Sequence, residues 1–103
     1  MRFSSRALGF CCALVAVAST GCGGVWYSAR ANTVAGKVEQ AKEVGAESAS
    51  PYEYYSAKER MTKAMEEASK ADYSDAIDLL DEAEEYADKA IQQSTAVRKG
   101  AGR

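Results

Sequence analysis

Between Ser50 and Ala90 the chain reads SPYEYYSAKERMTKAMEEASKADYSDAIDLLDEAEEYADKA, and apolar residues, most of them small, recur in it at three- and four-residue steps. Tyr54, Ala57, Met61, Ala64, Met65 and Ala68 form one stripe. Tyr73, Ala76, Ile77, Leu80, Ala83, Ala87, Ala90 and Ile91, continued by Val97, form a second. A period of 3.6 residues places each set along one side of a helix and turns Lys58, Glu59, Lys63, Glu66, Glu67 and Lys70 toward water. Beyond residue 22 no stretch sustains the period of two that a half-buried strand requires. The spacing predicts an all-α fold, either a helical hairpin or an antiparallel three-helix bundle.

The boundaries are written in capping residues. Ser50 stands before Pro51, whose missing N–H is harmless in a first helical turn, and Glu53 is placed to reach back to the Ser50 backbone N–H. Asp72 opens the next helix in the same manner, with Asp75 three residues on and acids gathered at the positive helix end. Helices are therefore expected near 26–48, 51–71 and 73–98. The first is the weakest: its stripe of Ala31, Val34, Val38, Ala41 and Gly45 is narrow. Gly36 and Gly45 each cost about 1 kcal/mol relative to Ala inside a helix, which predicts either fraying or close packing against a neighbour.

The N-terminus has a different character. Arg2 and Arg6 precede the apolar run Ala7–Ala18, and Ser19, Thr20 and Gly21 lead to Cys22. That run falls short of the roughly 20 apolar residues needed to cross a bilayer and suits a cleaved signal peptide. Two processing sites present themselves. Ala16-Val17-Ala18 offers an A-x-A site, and cleavage there leaves a soluble periplasmic or secreted binding protein with one free thiol. The stretch Ser19-Thr20-Gly21-Cys22 resembles a bacterial lipobox, although Ser19 stands where Leu is usual. That resemblance implies a lipoprotein signal peptide over 1–21, acyl lipid on Cys22, a short tether over 22–24, a helical domain over 25–99 and a flexible tail over 100–103. Because Gly23 rather than Asp follows the cysteine, the sorting pattern of enteric bacteria implies the outer membrane, facing the periplasm.

Composition narrows the function. Loss of 21 of the 103 residues leaves 82, enough for one small domain. The segment removed carries Arg2 and Arg6 and no acid, so the formal charge moves from −2 to −4. This balance argues against nucleic-acid binding, which needs a concentrated basic surface. Cys11 and Cys12 leave with the signal, and Cys22 alone cannot close an internal disulfide. Histidine is absent, which removes the commonest general base and metal ligand. No pairing of nucleophile and base, and no desolvated carboxylate pair, is discernible. A non-enzymatic protein without cofactor, metal or small-molecule substrate is expected.

Two resemblances attach to the second half. Asp72-Tyr73 followed by Ala76, Leu80 and Ala83 is similar to the centre of a tetratricopeptide repeat. Arg60, Lys63 and Glu67 stand where that repeat wants bulky residues, and the terminal Pro is missing, so at most one diverged repeat is present and not the array of about three that a solenoid needs. Over Ser50–Ala90 the chain resembles small bacterial envelope lipoproteins that carry a helical, tetratricopeptide-like domain of unknown function. In these the Pro-Tyr-Glu-Tyr entry and the Ala-Asp-Tyr turn recur in this order. The resemblance implies a location and a fold, without an activity or functional residues.

Candidate contact residues follow. Tyr52, Tyr54 and Tyr55 offer either a patch for a peptide or glycan or a cover for a small core. Trp26 and Tyr27, close behind Cys22, suit either the bilayer interface or a plug at the end of the bundle. Asp75, Asp78, Asp81, Glu82, Glu85 and Asp88 form a face expected to be solvated rather than cation-binding. Arg98 and Lys99 complement a helix C-terminus and offer contact with an anionic cell-wall polymer. The expected function is that of a lipid-anchored scaffold or adaptor, held to a membrane through Cys22 and partnered by another envelope protein or by itself; the alternatives are the soluble binding protein and a cell-wall-binding lipoprotein. Thin Ala seams and the lack of a disulfide predict that association adds stability.

Overall fold

The computed structural model describes the backbone of residues 5–101 and the side chains of residues 23–101. Residues 1–4, 102 and 103 and the side chain of Cys22 therefore lie outside the described residues, as do the side chains of the apolar run. Four helices follow one another: α1 (Ser5–Glu43), α2 (Ala46–Ala49), α3 (Pro51–Ser69) and α4 (Tyr73–Ala101). No strand occurs among the described residues. The fold is all-α, as the stripes predict.

α4 is the central element. It packs on α3 along the length of α3, with Arg60 against Glu82 and Ser50 against Gln93, so the two run antiparallel. On its other flank it meets α1, where Arg30 reaches Asp81 and Lys37 reaches Asp88; these two helices run parallel. The order is up, down, up, with α2 as a single turn across the far end.

The core lies where the predicted stripes meet. Val34, Ala64, Leu80 and Ala83 form its middle, with Tyr27, Ala31, Met61 and Leu79 packed around them. Ala41, Ala46, Tyr54 and Ala90 form a second cluster toward α2, joined by Val38 and Ile91. Eight of the eleven buried apolar side chains are not merely small but alanine. Helices meeting through methyl groups approach closely and gain from dispersion more than from area. The stripes were too broad in two places: Met65 is 57% exposed and Val97 53%. Met65 points to the α1 side of α3, where those two helices do not close on each other, and Val97 lies beyond the start of α3.

Turn chemistry departs from expectation at three points. Gly45 belongs to no stripe: it is exposed with φ +86°, and its N–H bonds the Lys42 carbonyl at 3.0 Å, ending α1. Only glycine takes that conformation without a Cβ penalty. Gly36 faces open space and marks no close approach. The close approach is made instead by Gly23 and Gly24, where α1 runs on as helix past the expected tether and a Cβ on Gly23 would lie 3.1 Å from Tyr73 Cδ2.

At the α2–α3 junction Ser50 is the N-cap residue, but its hydroxyl makes no bond to the helix backbone. It donates instead to Glu53 Oε2 at 2.7 Å, and Gln93 Oε1 lies 2.5 Å from the Ser50 Oγ. Buried between α3 and α4, the Ser50 hydroxyl has a side-chain network within reach that the capping box would forgo. The α3–α4 turn closes through Ala71 at φ 61°, with Ala71 N–H on Ala68 O and Asp72 N–H on Glu67 O. Asp72 then caps α4 as predicted, accepting from the Asp75 N–H at 3.3 Å.

Candidate functional site

The residues singled out from the sequence fall into two groups at opposite ends of the bundle. Tyr52, Tyr54 and Tyr55 lie at the start of α3, near α2, and do not form one patch. Tyr54 is buried in the core, its hydroxyl held above the ordinary phenol range by burial first and by Glu47 second. Tyr55 is exposed, edge-on to Tyr54 at 5.1 Å, with the Lys58 ammonium 5.6 Å from the Tyr54 ring centre. Tyr52, 69% exposed, turns the other way and meets Tyr86 edge-on at 6.1 Å. Arg60 and Lys89 both lie over the Tyr86 ring, at 5.7 and 5.6 Å. Sequence reasoning missed Tyr86, whose relation to Tyr52 is visible only once α3 and α4 are aligned.

At the other end, near the start of the described side chains, Trp26 and Tyr27 part company. Tyr27 is half-buried and tilts against Tyr73 with ring centres 6.0 Å apart, closing that end of the core. Trp26 is 63% exposed and its neighbour Val25 is 72% exposed. Between α1 and the C-terminal half of α3 lies a groove of about 630 Å³ bordered by Gly24, Val25, Tyr27, Met65, Ala68 and Tyr73. A second groove of about 260 Å³ continues from Met65 between Ala35 and Val38 of α1 and Met61 of α3, ending at Glu39 and Lys58. The two share Met65 and make one trough along the seam that α1 and α3 leave open.

Three hydroxyls on the trough walls are occupied by their own helices. Ser28 donates to Gly24 O at 2.9 Å, Ser69 to Glu66 O at 2.6 Å and Thr62 to Lys58 O at 3.1 Å. These three side chains therefore bring no unmet donor to the trough.

The acidic side of α4 is organised rather than simply solvated. Glu84 accepts from Arg30 at 2.6 Å and faces Lys37 at 2.8 Å; Arg30 also pairs with Asp81, and Lys37 with Asp88 at 3.1 Å. Arg30 and then Lys37 hold the Glu84 carboxyl below the usual carboxylate range, and both cations are held more firmly charged in return. Glu82 pairs with Arg60 and Glu85 with Lys89. Asp75 faces no cation but Asp72, whose charge raises its pKa. With Glu67 these two bring carboxylate oxygens within 4.8 Å at the α3–α4 turn. Glu67 is paired with Lys70 and Asp72 caps α4, so each has a structural task there.

No helix is long and apolar enough to cross a membrane among the described residues. No protein family matches the chain, and no curated protein or solved structure is similar to it.

Proposed function

We propose that the protein is a lipid-anchored component of the bacterial envelope that works as a non-enzymatic scaffold or adaptor, with its lipid on Cys22 and its helical bundle standing on the periplasmic side of the outer membrane. The observation that carries the reading is the order of features at the N-terminus: a charged start, an apolar run too short to span, Gly21-Cys22, and then Val25 and Trp26 exposed at the end of the bundle. An exposed Trp beside a lipidated residue suits the headgroup region, where amphipathic rings concentrate. The resemblance to small envelope lipoproteins over Ser50–Ala90 supports the same location.

The trough between α1 and α3 supports the non-enzymatic reading, because its largely apolar walls suit protein side chains better than a polar substrate. The test is intact-mass spectrometry of the protein made in a bacterial host, wild type against Cys22→Ser. The expected wild-type mass begins at Cys22 and carries a diacylglyceryl group, with or without an N-acyl chain, and the substitution removes it. A mass beginning at Ser19 without lipid overturns the anchor and makes the protein a free periplasmic or secreted one.

A further inference from the structure

α1 has an unusual exposed side. Between Gly23 and Val38 it carries only two charges, Arg30 and Lys37, and both are turned onto α4. Val25, Trp26, Ala29, Asn32, Thr33, Ala35 and Gly36 are all exposed and all uncharged. A solvated helix normally presents charge on its outer side, and depletion of charge marks the centre of protein interfaces. Two of these residues, Val25 and Ala35, line the trough, whose α3 wall carries Met65. At the far end of the trough stand two charges outside the ion pairs described above: Glu39 on the α1 wall and Lys58 on the α3 wall.

We propose that the trough, with the uncharged edge of α1 at Val25 and Ala35, is where two copies of the chain meet, side by side, with their troughs facing and their two-fold axis along the bundle. The charges select that arrangement. Glu39 and Lys58 sit at one height on opposite walls, so a two-fold axis parallel to the helices sets Glu39 of each copy against Lys58 of the other. The same operation lays α1 of one copy on α3 of the other and lets each Met65 and Val25 fill the partner trough. An antiparallel pairing instead drives the Glu39 and Lys58 end onto the apolar Val25 and Tyr73 end. The parallel arrangement also leaves both Cys22 ends on one side, as two copies anchored in one membrane require; this last point rests on the anchoring proposed above, whereas the charge register does not.

The test uses Glu39→Lys and Lys58→Glu, each in the full chain expressed in a bacterial host and read by sedimentation in density-matched detergent. The expected results are that wild type is dimeric and that each single variant dissociates roughly tenfold or more easily, two like-charge contacts having replaced two opposite ones. An equimolar mixture of the two variants is then expected to dimerise again, because both contacts between unlike copies are complementary. A salt bridge within one chain cannot produce that recovery. Concentration-independent monomers for wild type overturn the proposal, as does a wild-type dimer indifferent to both substitutions or a mixture that stays monomeric. Repeating the series on Cys22→Ser separates the two readings: dimers without lipid keep the interface whatever the mass spectrum says of the anchor.

Discussion

The seam between α3 and α4 makes an unusual prediction: adding apolar volume to the core destabilises it. Ala83 and Ala87 of α4 are fully buried, as is Ala64 on α3. Ala87→Leu adds an isopropyl group at a site where the backbones already approach to methyl contact. If α3 and α1 could yield without strain, the added burial would be worth about 2 kcal/mol of stability. If they cannot, overpacking costs about 1–3 kcal/mol, and the sign of the change decides which holds. The expected result is a loss. For a domain this small, whose single core supplies about 3–5 kcal/mol, such a loss consumes much of the total. With a urea slope of about 1–1.5 kcal/mol/M for this size, the midpoint falls by about 0.7–3 M. Far-UV circular dichroism during urea unfolding reads it, with Ala96→Leu on the exposed side of α4 as the control expected to change little. A midpoint for Ala87→Leu equal to or above wild type refutes the account of the seam.

Glu84→Gln removes the carboxylate shared by Arg30 and Lys37 and is expected to cost about 1 kcal/mol at neutral pH, within the range for partly exposed charged pairs. Because the folded Glu84 titrates below its unfolded value of about 4.3, that contribution is fully present above this value and is lost as pH falls through the lower folded pKa. Wild-type and variant unfolding midpoints should therefore converge as the medium is acidified, and a gap unchanged at pH 2 contradicts the ion pair's role. Gly36 and Gly45 separate in sign: Gly36→Ala, with open space around it, should raise the melting temperature by the equivalent of about 1 kcal/mol, whereas Gly45→Ala should lower it by the equivalent of about 1–2 kcal/mol because of its positive φ. Equal effects of the two would show that the α1 terminus is not held as described.

Most of the helical architecture was legible because it depends on local order. The periodic alanines and the Pro51 and Asp72 starts are read along one strand of sequence, and α3 and α4 begin where those residues place them. Gly45 misled because it falls four residues after Ala41, a spacing that a stripe and a helix stop share; nothing local separates a glycine needed for space from one needed for its φ. Met65 misled because a stripe records which side of a helix is apolar and not how wide its neighbours make the seam. The ion pairs of Arg30 and Lys37 were out of reach for a related reason. Their partners lie some fifty residues away, and the pairing exists only in the register that sets α1 parallel to α4. The placement of the candidate tyrosines was also not local information: Tyr54 and Tyr55 meet each other beside Lys58, whereas Tyr52 turns to Tyr86 on α4.

That register has a consequence for the exposed side of α1. A helix whose stripe is as narrow as Ala31, Val34, Val38 and Ala41 is weakly held about its own axis by packing, because methyl and isopropyl groups alone define the orientation only loosely. Arg30 and Lys37, seven residues apart, lie on one line along α1, and Asp81, Glu84 and Asp88 form a matching line on α4. Each pair at the surface is worth little by itself, but the set shares Glu84 and opposes rotation of α1 in either direction. Holding both cations against α4 leaves the outer side of α1 between Val25 and Gly36 without charge, with Asn32 and Thr33 among its exposed residues. The charges that secure α1 to the bundle are thus the same ones whose absence from the outer side leaves that side uncharged, so the stability of this helix and the character of its exposed surface rest on one arrangement of residues.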